Sequence, residues 1–128
     1  MGGLTPFGRK VRELRRKKGI SQRKLAAALG VSPAYLSALE HGRKGRPSWA
    51  LVQEIIAHFG LIWDDAEEIE TLARLSHPRV VIDTSQLSAK ATEAANRMAE
   101  VINRLEDDDL DKILALLRRL LKEETPKA

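Results

Sequence analysis

Apolar residues recur at helical intervals along nearly the whole chain, and the pattern changes character only once. Phe7, Val11 and Leu14 stand at i, i+4 and i+7, while Arg9, Lys10, Arg12, Arg16 and Lys17 cover the other faces. This predicts an amphipathic helix over residues 6–18, with Pro6 in its first turn and Gly19 at its end. Leu25, Ala26 and Leu29 predict a second helix over residues 22–29, capped by Ser21 and ended by Gly30. Leu36 and Leu39 predict a third, capped by Ser32, with Pro33 in the first turn and Gly42 as the stop. Ser48 caps a fourth helix that buries Leu51, Ile55 and Phe59 and closes at Gly60. Asp64 reads as the cap of a fifth, with Asp65, Glu67 and Glu68 in its first turn and Ile69, Leu72 and Leu75 facing inward.

After His77-Pro78 the texture shifts. Residues 79–84, RVVIDT, are short and β-branched, the one strand-like stretch in the chain. A lone strand leaves its backbone groups unpaired. Two readings stand: an extended linker, or antiparallel pairing with the same segment of a second subunit. Ser88 then caps a helix running to about residue 105, lined by Ala91, Ala94, Ala95, Met98, Ile102 and Leu105 with Val101 beside them. The acids Glu106, Asp107, Asp108 and Asp109 open a last helix carrying Leu110, Ile113, Leu114, Leu117, Leu120 and Leu121. Residues 123–128 read as a frayed polar tail. A two-helix hairpin buries neither apolar face well by itself. Its stripe is either core against the N-terminal domain or a dimer face formed by Val80, Val81, Ile82, Met98, Ile102, Leu105, Ile113, Leu117, Leu120 and Leu121.

Charge divides the chain at the same place as texture. Residues 1–63 hold twelve Lys/Arg against three acids, and residues 64–128 hold ten against fifteen, although the net charge is only +4. An anionic partner is therefore expected for the first half alone. There are no cysteines, which removes disulfides and thiolate metal sites. No signal peptide and no apolar run of membrane-spanning length is visible, so a cytoplasmic protein is expected.

Within the basic half, residues 20–47 read ISQRKLAAALGVSPAYLSALEHGRKGRP: two short helices, a tight turn and a basic loop. That layout sets one helix against a phosphate backbone and the next in a DNA major groove. Catalysis is not expected. His41, His58 and His77 are scattered, and the acids at 106–109 lack the alternating oxygen ligands and central glycine of a cation loop. Gly42-Arg43-Lys44-Gly45 is too short for a phosphate-binding glycine loop. No metal and no cofactor are expected.

Residues 7 to about 75 resemble the Cro/repressor-type (Xre) helix-turn-helix regulators of bacteria and phages. The likeness rests on Leu14-Arg15, Ile20-Ser21-Gln22, Leu25-Ala26, Gly30-Val31-Ser32, Tyr35-Leu36-Ser37, Leu39-Glu40, Gly42 and Arg46-Pro47. It implies an all-α chain with a five-helix repressor-like DNA-binding domain over residues 1–76. Beyond the reach of the likeness, the periodicity gives a short extended linker or strand at 77–87 and a helical dimerisation region at 88–128. The likeness implies that Gln22 meets phosphate, that residues 32–38 form the recognition helix, and that Arg15 and Glu40 form a structural ion pair. Phage relatives place glutamines where this chain has Pro33 and Ala34, which cannot read a base by hydrogen bonding. Ser32, Ser37 and the methyl groups of Ala34 and Ala38 are left to touch bases, with Tyr35 on a base or a phosphate and DNA shape supplying the rest. Arg23, Arg43, Lys44 and Arg46 complete the expected phosphate contacts.

The expected function is a sequence-specific transcriptional regulator, a repressor acting as a homodimer on double-stranded DNA and so associated with the nucleoid. RNA polymerase or a small protein is a further candidate partner. The alternative is an autoregulating antitoxin whose C-terminal half neutralises a partner.

Overall fold

The computed structural model describes residues 3–122, which form seven α-helices and one short 3-10 turn. Two compact units, Met1–Val80 and Val81–Ala128, divide the chain. The first holds α1 (Pro6–Lys18), α2 (Gln22–Leu29), α3 (Pro33–Glu40), α4 (Trp49–Phe59) and α5 (Asp64–Arg74). The second holds α6 (Ala89–Val101), the 3-10 turn Ile102–Arg104 and α7 (Asp107–Leu120). The polar tail expected at 123–128 lies outside the described residues.

Local chemistry places the helix ends of the first unit. The side chains of Thr5, Ser21, Ser32 and Ser48 accept from the amides of Gly8, Lys24, Tyr35 and Leu51, each satisfying a donor that the first helical turn leaves over. The inward stripes then merge into one core whose fully enclosed side chains include Phe7, Val11, Leu25, Leu36 and Ile55. Each such side chain stabilises by roughly 1.5–3 kcal/mol.

Two polar joins fix α1 in this core. The Ser76 hydroxyl accepts from the Phe7 amide at 2.9 Å and donates to the Leu72 carbonyl, so the end of α5 satisfies the start of α1. At Gly8, α1 meets the backbone of α3 directly: a Cβ there would sit 2.0 Å from the Glu40 carbonyl oxygen. Lys10 ties α1 to α5 through a 2.7 Å contact with Glu68. Burial works against the Lys10 charge. The hydrogen bond to Glu68 and the fields of Glu68, Glu13 and Asp65 prevail and hold the ammonium above its ordinary range.

The sequence-based expectations need correction at three places, and at residues 79–84 one of the two readings offered has no counterpart within a single chain. Residues 79–84 form no strand: Arg79 lies in a bend and its amide donates to His77 Nδ1 at 3.1 Å, the Thr84 carbonyl accepts from the Leu87 amide at 2.9 Å, and no strand forms among the described residues. The cap of α5 is Trp63, not Asp64, because a reverse turn closed by the Asp65 amide on the Ile62 carbonyl (3.1 Å) delivers the chain to the helix. Leu75 is 53% exposed and Leu72 only half-buried. The helix ends at Arg74, so Ala73 and Ser76 turn inward instead. Finally, α6 stops at Val101 and tightens into the 3-10 turn before Leu105.

The second unit has a different texture. Its first helix is capped by the Ser88 hydroxyl on the Ala91 amide. At its last helix, the Asp109 carboxylate accepts from the Glu106 amide at 3.3 Å, and Asp107 and Asp108 share the positive end of the helix dipole. None of its described residues is fully buried. Ala91, Ala95, Met98, Leu105, Leu110 and Ile113 are half-buried, whereas Ile102, Leu114, Leu116, Leu117, Leu120 and Leu121 face solvent.

The contact at Gly8 is specific enough to test. Gly8→Ala is expected to force α1 away from α3 and to cost at least about 1–3 kcal/mol, the usual penalty of overpacking, measured by chemical denaturation followed by circular dichroism.

Candidate nucleic-acid interface

The α2–turn–α3 segment is built by complementary signals. Gly30 takes a left-handed conformation (φ 71°), letting its amide reach the Ala27 carbonyl and the Val31 amide reach that of Ala26. This double bond pattern ends α2 within one residue, and Val31 packs back on the core. Ser32 then starts α3 at once. The same device ends α3: Gly42 (φ 76°) bonds to the Leu39 carbonyl and Arg43 to that of Ala38. Both helices are eight residues long, about 12 Å each.

The exposed side of α3 carries Ser32, Pro33, Ala34 and Tyr35, the last 39% exposed. Ser37 and Ala38 are half-buried. The Ser37 carbonyl is engaged by the amide and Nδ1 of His41, which folds that ring over the end of the helix. An open groove of about 490 Å³ runs beside the start of α3, with Ser32 and Tyr35 on one wall and Ser48, Ala50 and Glu54 on the other. Glu54, absent from the sequence-based site, is one of only three acids in the basic half.

The loop after α3 presents Arg43, Lys44 and Arg46, all exposed. It is held at Gly42, where a Cβ would lie 2.8 Å from Thr5 Cγ2 and 3.4 Å from Pro78 Cγ, and at Pro47, which is buried. Its cations are therefore presented from a fixed base. Arg23 is exposed in the first turn of α2, whose leading amides have no acceptor within the helix and form a natural anion site.

Beneath this surface lies a polar cluster around Glu40, which is completely buried. Its backbone carbonyl accepts from the Thr5 amide (3.0 Å) and hydroxyl (3.2 Å). Its carboxylate accepts from Gln22 Nε2 at 2.9 Å and pairs with Arg12 Nε and Arg15 Nη2, each at 3.5 Å. Gln22, expected only at phosphate, is thus bound inward. Arg12, read from sequence as covering an outer face, has its Nε buried. The i, i+3 spacing of Arg12 and Arg15 was the available signal, since those positions share a helix face. The residues expected at a dimer face divide by exposure. Val80, Val81, Ile82, Ile102, Leu117, Leu120 and Leu121 are exposed, whereas Met98, Leu105 and Ile113 are half-buried within the second unit.

Among the described residues no group of three or more His, Asp or Glu side chains is placed to hold a metal ion, and no helix is long and apolar enough to cross a membrane.

Comparison with known proteins agrees with this geometry. A family model described as a helix-turn-helix domain matches residues 6–76. An uncharacterized HTH-type transcriptional regulator of Bacillus subtilis (strain 168), RghRB, is 37% identical over 54 residues, 42% of this chain and 39% of the relative. The match thus spans well under half of that protein. No solved structure gives a significant match.

Removing the Glu40 carboxylate leaves Arg12 and Arg15 facing each other without an anion. Glu40→Ala is expected to destabilise the first unit by about 3–5 kcal/mol, the cost of breaking a buried ionic cluster from one side, read as a lowered denaturation midpoint.

Proposed function

The chain belongs to the helix-turn-helix domain family, and on that premise we propose that it is a transcriptional regulator. It binds double-stranded DNA as a homodimer and represses by occupying a two-fold site. The observation that carries this reading is the exposed, rigidly capped start of α3 flanked by the loop cations Arg43, Lys44 and Arg46. In this reading α3 enters the major groove. Gln22, Arg23, Arg43, Lys44 and Arg46 hold phosphates, fixing register without reading sequence. Base contacts fall to Ser32, Tyr35 and the methyl of Ala34, with contributions from the half-buried Ser37 and Ala38. Hydrogen-bonding readout is sparse, so the deformability of the duplex supplies part of the specificity.

The uncovered leucines of the second unit support the dimer. A single copy leaves Leu117 and Leu121 at 45% and 67% exposure, and an apolar face of this kind marks an interaction surface. A second copy covers it and sets two α3 helices about 34–36 Å apart, one turn of DNA. The same face favours one other reading: an autoregulating antitoxin whose second unit holds a small toxin. RNA polymerase is a third occupant of the same kind. Measuring the mass of the purified complex separates them.

Selecting bound sequences from random duplexes tests the main reading, with a symmetric motif expected and no enrichment overturning it. Tyr35→Ala is expected to change the selected sequence rather than merely weaken binding; an identical selected motif places Tyr35 on phosphate. Leu117→Asp combined with Leu121→Asp is expected to convert the full-length protein to a monomer by light scattering, and a dimer that survives both changes removes α7 from the interface.

A further inference from the structure

We propose that Arg12 is a further DNA-phosphate ligand, working beside Gln22 and held in place by the buried Glu40; this rests on the DNA-binding reading above. Three observations carry it. Arg12 Nε and Gln22 Nε2 address the same oxygen, Glu40 Oε1, at 3.5 and 2.9 Å, so the two head groups lie side by side. Glu40 is fully buried and Arg15 is 14% exposed on its side chain, yet Arg12 remains 40% exposed although its Nε has no access to water. Its exposure therefore belongs to the rest of the side chain. Lastly, two guanidinium groups face one carboxylate, which leaves one positive charge in excess at the outer edge of the cluster.

A purely structural role explains Arg15 but not this second arginine. The deeper guanidinium already supplies the opposite charge that a buried carboxylate requires. Both guanidiniums pair with the carboxylate at 3.5 Å and neither Nε has a hydrogen-bond partner, so what sets Arg12 apart is its exposure, 40% against 14% for Arg15. A guanidinium carries five N–H donors in a fixed fork, which suits two oxygens of a phosphodiester. Gln22 begins α2, so the leading amides of that helix open at the same place, with the positive end of its dipole behind them. Arg12, Gln22 and the start of α2 thus converge on one point, and the ligand that matches all three is a backbone phosphate. Contact there is independent of base sequence.

The test uses the full chain and a short duplex of mixed sequence, with affinity measured over a range of salt concentrations. Arg12→Gln is expected to weaken binding and to shallow the slope of log affinity against log salt by about 0.9 for each subunit bound, the share of one phosphate. Arg12→Lys keeps a point charge and is expected to restore the slope. A wild-type slope in R12Q overturns the proposal, as does an R12K variant that matches R12Q. If circular dichroism shows R12Q unfolded, the arginine side-chain NMR signals of the wild-type chain decide instead. The Arg12 signal, identified by its loss in R12K, is expected to move when duplex is added, and an unmoved signal overturns the proposal. Wild-type protein that binds no duplex at any salt overturns the DNA-binding reading along with it; binding with no effect of Arg12 overturns this inference alone.

Discussion

The carboxylate of Glu40 has no contact with water, and the first unit is organised around that fact. An unpaired charge in such a place costs several kcal/mol, so every element nearby answers it. Arg12 and Arg15 come from α1, Gln22 from α2, and the residue itself from the last turn of α3. Its main chain is engaged as well, by both donors of Thr5. One residue therefore sets the register of three helices. A well-packed apolar substitute for the whole cluster need not be less stable. What the ionic version adds is directionality: hydrogen bonds and ion pairs fix angles where apolar contact allows sliding.

That constraint explains why the surface above it is orderly. The first turn of α2 and the exposed start of α3 belong to helices that share the Glu40 anchor. The basic loop is fixed separately, at Gly42 against Thr5 and Pro78. Thr5 belongs to both anchors, since it also binds the Glu40 carbonyl. A small binding surface benefits from such preorganisation, because little binding energy is then lost to ordering the protein.

How much was legible in the sequence follows the range of the forces involved. Ser21, Ser32, Ser48 and Ser88 cap as their positions imply, and Gly19, Gly30 and Gly60 end their helices in the left-handed region. Those decisions are made within a few residues. Trp63 was not legible as a cap, because nothing in WDDAEE announces a turn that holds a bulky residue at φ 52°. Gly8 carries no local signal, since its reason is the crossing backbone of α3, far along the chain. The site divides the same way. Helical periodicity found Tyr35 and Ala34, but the half-burial of Ser37 and Ala38 and the inward bond of Gln22 required the partners' positions. In the second unit, period alone could not separate the half-buried Met98 and Ile113 from the exposed Leu117 and Leu121.

Both tryptophans of the chain stand in water, Trp49 at 75% and Trp63 at 84% exposure. Their indoles already occupy the surroundings that an unfolded chain offers, so their fluorescence carries little information about whether the core is intact. What it does carry is a record of events at the surface. Trp49 shares a shallow groove with Arg46 and Pro47, at the edge of the basic loop. Trp63 lies beyond the opposite end of α4, whose 11 residues span about 16 Å. The molecule thus holds an intrinsic optical probe beside its cationic face and a second one remote from it, which serves as the internal reference.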